Sequence, residues 1–163
     1  MAVEVIDGFK FQKGIDGSKK LIIESSKLDA CIKYVLDGKI KSITINCFQG
    51  YELPSIDFLI KLSDVLEGLH LPETKYNNQV INSLYNLKFL GFADNKKDVI
   101  DLSNFPKLES LACDYSPRLK GLKTCKKLKD LTLTGWNFRK GSLQCVFRLI
   151  PFSISGVLLF IFF

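Results

Sequence analysis

With 163 residues the chain is long enough for one domain with a sizeable core, and 47% hydrophobic with 25% charged residues excludes wholesale disorder. A net charge of +6 would suit an anionic partner, but the excess is local: Arg118 to Lys140 carries eight Lys or Arg against the single acid Asp130. These cations (Arg118, Lys120, Lys123, Lys126, Lys127, Lys129, Arg139 and Lys140) alternate with Leu119, Leu122, Cys125 and Leu128 and lack aromatic interleaving, so they read as a solvated outer side rather than a nucleic-acid surface.

Five cysteines (Cys31, Cys47, Cys113, Cys125 and Cys145) form no C-x-x-C pair and are odd in number. That pattern favours reduced thiols and a cytoplasmic compartment over a disulfide framework. The opening MAVEVIDGFK has acids and no apolar h-region, so a secretory signal is not expected.

In chain order, Val3, Val5, Phe9 and Phe11 alternate about Asp7-Gly8, which predicts a hairpin. Leu21 and Ile23 follow as an apolar pair two residues apart. Ser26 then stands as an N-cap before Leu28, Cys31, Ile32, Val35 and Leu36 at helical spacing, and Gly38 ends that helix. Ile43 and Ile45 form the next two-apart pair. Glu52 to Glu67 is a longer insertion, expected to be helical after Pro54-Ser55, and Leu69 and Leu71 come after it.

The most regular stretch is Leu84 to Trp136. Apolar residues fall at Leu84, Leu87, Leu90 and Phe92, then at Phe105, Leu108, Leu111 and Cys113, then at Cys125, Leu128, Leu131 and Leu133. The last two of each set have the period of a strand with one buried face, and the earlier ones suit a turn returning to the next strand. A unit of about 20 residues cannot bury its own apolar row, whereas stacked units bury a continuous core. On this L-x-x-L-x-x-L-x-L-x-x-N spacing the chain resembles leucine-rich-repeat proteins of the short-repeat kind. The resemblance implies an α/β solenoid with a parallel sheet on the concave face and short helices or turns on the convex face.

Aligned strand pairs are Leu21/Ile23, Ile43/Ile45, Leu69/Leu71, Leu90/Phe92, Leu111/Cys113 and Leu131/Leu133, at intervals of 22, 26, 21, 21 and 20 residues. Residues 1–19 are then an N-terminal cap hairpin, 20–136 the repeats and 137–163 an apolar tail. The closing Asn of the pattern occurs only at Asn95; Ser26, Phe48, Thr74, Ser116 and Trp136 stand elsewhere, so a regular asparagine ladder is not expected. In the tail, LIPFSISG (Leu149–Gly156) mirrors LKDLTLTG (Leu128–Gly135), which predicts a seventh strand around Phe152 and Ile154. The apolar run Val146 to Phe163 is also near the ~17-residue lower limit for a membrane anchor.

Signals for chemistry are few. His70 is the single histidine, between Leu69 and Leu71 and therefore outward on the sheet, without a second histidine, a cysteine cluster or a phosphate loop. No catalytic residue, cofactor, metal or small-molecule substrate is expected. Positions flanking the strand leucines face outward, and the ones from Ser42 to Thr134 include no Lys or Arg. From them His70, Glu73, Phe89, Asp94, Asp114, Tyr115, Asp130 and Thr132 are the candidate partner-binding residues, the aromatics as anchors and the acids as a match for a basic patch.

The resemblance therefore implies a non-catalytic protein–protein interaction module that binds through the concave sheet. An alternative is a membrane-associated adaptor tethered by Val146 to Phe163. Binding of nucleic acid or another anionic surface through the basic outer side ranks below both.

Overall fold

The computed structural model describes residues 2–14, 18–137 and 142–148, with side chains as far as Thr134. It is an α/β protein with a largely parallel mixed sheet and short helical connections. Strands β1 (Val3–Ile6), β2 (Phe9–Lys13) and β3 (Lys19–Ile22) open the chain, and α1 (Leu28–Leu36) follows. Then come β4 (Ser42–Thr44), β5 (Gly68–Leu71), β6 (Phe89–Phe92) and the two-residue β7 (Ile100–Asp101). The last four are β8 (Ser110–Asp114), β9 (Leu119–Lys120), β10 (Asp130–Asn137) and β11 (Ser142–Arg148).

Nine strands form one sheet in the order β1-β2-β3-β4-β5-β6-β8-β10-β11, so sheet order follows chain order. The hairpin β1–β2 turns at Asp7 and Gly8, whose φ of 51° and 79° suit the tight turn that Asp-Gly predicts. From β3 to β10 every neighbour is parallel, and the register is that of the leucine spacing. Leu21 lies opposite Ile43, Ile43 opposite Leu69, Leu69 opposite Leu90, Leu90 opposite Leu111 and Leu111 opposite Leu131. A second column joins Leu71, Phe92, Cys113 and Leu133. Both columns are buried, and each leucine so buried contributes about 1.5–3 kcal/mol.

The connections run along the other side as short 3₁₀ turns: Asp57–Leu62, Asn78–Ser83, Leu102–Asn104 and Leu122–Thr124. Leu59, Leu62, Ile81, Leu84, Leu102 and Phe105 point from them into the same core. Strands β7 and β9 pair there as a small parallel ribbon. The insertion Glu52 to Glu67 contains a 3₁₀ turn, with Ser55 Oγ accepting the Asp57 N–H at 3.0 Å.

Polar side chains clip neighbouring turns together. Asn82 accepts the Asp101 N–H at 2.9 Å and donates to the Val99 carbonyl, and Asn86 donates to the Asp64 carbonyl at 2.8 Å. Asn95 donates to the Tyr76 carbonyl at 2.8 Å, one turn back. At the entry to successive strands Lys41, Glu67, Lys88, Glu109 and Lys129 alternate in sign. Glu67 pairs with Lys88 at 2.7 Å and Lys41 at 2.9 Å, and Glu109 with Lys129 at 2.6 Å. These ammonium groups hold both carboxyls below their usual range.

One expectation is corrected. Ser26 does not cap the helix: it lies within the 3₁₀ turn Ser25–Lys27, and the cap position is Lys27, with no side-chain cap bond. Ser25 Oγ is occupied by the Glu52 N–H at 2.7 Å. On the far edge of β10, β11 folds back antiparallel and sets Arg148 opposite Asp130. Phe152 and Ile154, with the rest of 149–163, lie outside the described residues. Among the described residues no helix is long and apolar enough to cross a membrane.

Two substitutions test the packing. Leu111→Ala should cost ~2–5 kcal/mol in chemical denaturation, the range of buried leucine truncations. Gly121 has φ of 73° and sits so close to the preceding turn that a Cβ would lie 2.8 Å from the Ser103 backbone nitrogen, whereas Gly38, at φ 74°, faces open space. Gly38→Ala should therefore cost about 1–2 kcal/mol from the left-handed backbone alone, and Gly121→Ala roughly twice that.

Candidate functional site

Because side chains alternate along a strand, the register that aligns the leucines also aligns the residues between them on the open face. One row is Ser42, Gly68, Phe89, Ser110 and Asp130; the next is Thr44, His70, Gly91, Ala112 and Thr132. Small residues at Gly91 and Ala112 leave a groove of about 350 Å³, walled by His70, Pro72, Asp114, Thr132 and Thr134. A Cβ on Gly91 would meet His70 Cδ2 and Phe89 Cζ at 3.1 Å each, so both rings lean over this glycine.

His70 Nδ1 is 3.0 Å from the hydroxyl of the fully buried Thr44. Burial lowers the His70 pKa from its ordinary 6.5, and the positive charge of Lys20 adds to the shift. The ring is thus held neutral near pH 7, able to accept from Thr44. Phe89 lies beneath the Lys20 ammonium, 4.2 Å from the ring centroid. Together with Ser42, Ser110, Lys88, Lys129 and Asp130 these two line a second depression of about 440 Å³ at the amino ends of the strands.

The acids gather at the opposite end. Asp114 Oδ2 accepts the Asp94 N–H at 3.1 Å, and Asp114 Oδ1 accepts the Thr134 hydroxyl at 2.5 Å. Glu73 Oε1 accepts the Cys47 N–H at 3.3 Å and its thiol at 3.1 Å, and this bond raises the thiol's pKa, helped by burial. Burial, with Asp114 and Asp94 beside it, pushes the Cys113 thiol up to about 12. Both thiols stay protonated at neutral pH and are poor nucleophiles. The described cysteines, Cys31, Cys47, Cys113 and Cys125, are all free. Among the described residues no group of three or more His, Cys, Asp or Glu is placed to hold a metal ion.

The eight expected residues do not form one cluster. His70 and Thr132 line the central groove, with Asp114 at its edge. Glu73, Asp94 and Tyr115 sit in the loops beyond it, Tyr115 being 48% exposed. Phe89 and Asp130 belong to the depression at the other end. Asp114 is also structural, since it fixes the Asp94 backbone and Thr134.

Two residues were not anticipated. Lys20 stands opposite Gln12 on one side and reaches Phe89 on the other, so the open face does carry a cation. Extending the outward positions back to the first parallel strand would have found it. Phe48, assigned by spacing to the inward closing position of its repeat, is 93% exposed. No family model, curated protein or solved structure gives a significant match to this chain.

The neutral His70 makes stability depend on pH. With the folded pKa below 6.5, the unfolded chain takes up a proton that the folded chain refuses as pH falls through that window. The denaturation midpoint should thus decline from about pH 7 to pH 5, with a shallower decline in His70→Gln.

Proposed function

We propose that the chain is a leucine-rich-repeat solenoid of short repeats that acts without catalysis, binding another protein through the concave face of its sheet. The observation that carries this reading is the groove floored by Gly91 and Ala112 on the open side of a parallel sheet. Parallel sheets normally have both faces covered, so an open one is a surface with a use. Six strands in one register, at intervals of 20 to 26 residues, support the stacked-repeat architecture. The small floor leaves space for a partner's side chains, while Asp94, Asp114 and Glu73 at one end favour a partner with a basic patch.

The ring of His70 is tied to a buried hydroxyl, and the neighbouring Cys113 thiol is protonated. Both facts favour recognition over reaction. The outer basic side is the weaker candidate, because its cations lack the interleaved aromatics of a nucleic-acid surface.

Immobilised chain should capture a partner that survives Lys126→Glu/Lys127→Glu on the outer side. Filling the groove with Ala112→Arg and Thr132→Lys should weaken that capture at least tenfold while the protein stays folded. Loss of capture with the outer-side variant alone would move the site to the basic side and reject the reading.

A further inference from the structure

The first strand of the sheet is paired on one side. Among the described residues β2 is the one neighbour of β1, and the sheet ends there. Register and hydrogen bonding decide which backbone groups of β1 are left over. The Lys13 N–H donates to the Ala2 carbonyl at 3.1 Å, and the two-residue turn Asp7-Gly8 closes on Ile6 and Phe9. Hydrogen-bonded pairs alternate with non-bonded ones along an antiparallel ladder, so Ala2, Glu4 and Ile6 turn their N–H and C=O groups to β2. Val3 and Val5, opposite Gln12 and Lys10, are in the non-bonded pairs and turn theirs to the free edge.

The same two residues expose their side chains, Val3 by 52% and Val5 by 64%. Gln12 lies opposite Lys20, which reaches Phe89 on the open face, so both valines stand on that face too. Edge strands are normally guarded by lysine, proline or a bulge. β1 has none of these: it reads Val-Glu-Val-Ile, and its pairing with β2 runs without a register shift. Its one charge, Glu4, is held by Lys19 at 2.9 Å, and Lys13 adds to the positive field there.

The free residues stand symmetrically about Glu4, which makes the edge complementary to itself. A second copy laid antiparallel about that residue sets Val3 opposite Val5 of the copy, and Val5 opposite its Val3. Every N–H and C=O that these residues leave over on one strand then meets its complement on the other. The valines of the two copies pack side by side as β-branched cross-strand pairs. Glu4 meets Glu4 of the second copy on the twofold axis, where Lys13 and Lys19 of both copies outnumber the carboxylates. Opposed residues of an antiparallel pair point to one side, so the two open faces join into one surface.

We propose that β1 is a self-pairing edge through which two copies of the chain join as a twofold dimer. The proposal stands on the strand edge alone and does not depend on the groove.

Sedimentation equilibrium of the full chain over a rising concentration series tests it. The weight-average mass should climb from that of one chain towards that of two and stop there. The association is weak, because an edge of this length buries little beside a standard interface. Val5→Lys should weaken it at least tenfold and leave the denaturation midpoint of dilute protein unchanged, since the side chain is exposed and the β1–β2 bonds do not involve this residue. Under mild oxidation Glu4→Cys, on the axis, should form a disulfide-linked dimer at least tenfold faster than Val5→Cys, whose sulfur atoms lie too far apart in this register. A chain that stays monomeric up to its solubility limit overturns the proposal, as does association that Val5→Lys leaves intact. Growth past the dimer that Val5→Lys stops would pair β1 with β11 of the next copy in an open chain, and rejects the twofold contact. Linking of Val5→Cys as fast as Glu4→Cys rejects it too.

Discussion

The structure depends on one constraint: no single turn of this chain can bury its own leucines. Leu90 has a dry environment only because Leu69 and Leu111 lie opposite it in the neighbouring strands, and each of those depends on its own neighbour in turn. Backbone hydrogen bonding makes the dependence exact in register, because a slip of one residue would turn every strand leucine outward. Variation in turn length must therefore be absorbed away from the sheet. The 26-residue step from Ile43 to Leu69 shows how: its extra residues lie between β4 and the Asp57–Leu62 turn, where the 3₁₀ turn Cys47–Gln49 is added on the connecting side, and the strands still meet in register. The rows on the open face are a by-product of the same alignment. Gly91 and Ala112 stand together because Leu90 and Leu111 do.

Register is also written in charge. Lys41, Glu67, Lys88, Glu109 and Lys129 enter successive strands with alternating sign, and the carbonyl of each of the first four accepts two N–H groups from the next turn. Strands lie about 4.8 Å apart, so a run of one sign there would place like charges at repulsive distance. Exposed pairs of this kind contribute little apiece, at most about 1 kcal/mol. Their value lies in discrimination, since slipping one turn past another would break the backbone bonds and set Lys against Lys. Asn78, Asn82 and Asn86 perform the corresponding task on the connecting side. Asn78 is buried and donates to the Ala93 carbonyl at 3.1 Å, one turn on.

This division explains what could be read from the chain beforehand. The strand pairs from Leu21 to Leu131 were legible because their periodicity is the packing itself, and the Asp7-Gly8 turn was legible because few other residues tolerate its backbone. The polar ties were not. Spacing pointed to Asn95 alone, while Asn78, Asn82 and Asn86 act from the 3₁₀ turn Asn78–Ser83 and the residues just beyond it, where the short pattern has no fixed polar position. The open face was legible as a set of positions but not as contacts. Lys20 meets Phe89 across three strands, over the small Ser42 and Gly68, and a reach of that length depends on side-chain direction rather than spacing. Phe48 was misplaced for a local reason: Gly50 and the Asn46 cap close the turn early and leave the ring outside the closing position.

Both ends of the open face carry charges of both signs. At the amino ends of the strands Lys19, Lys20, Lys88 and Lys129 surround a depression that also holds Glu109 and Asp130. At the carboxyl ends Glu73, Asp94 and Asp114 stand beside Lys75, Lys96 and Lys97 of the same loops, and Lys75 interacts with Glu73. The rows at the two ends, represented by Phe89 at the start of β6 and Ala93 just after its end, are four residues apart, or roughly 13 Å. That exceeds the ~8 Å Debye length at physiological ionic strength, so the two ends act as separate fields. On the binding reading proposed above, such a face orients a partner before contact, while the uncharged floor of Gly91, Ala112 and Thr132 sets how closely it approaches. Orientation and closeness are then governed by different residues. A sheet face can separate them in this way because alternation along each strand decides which residues face out, while register across the strands decides which of them stand side by side.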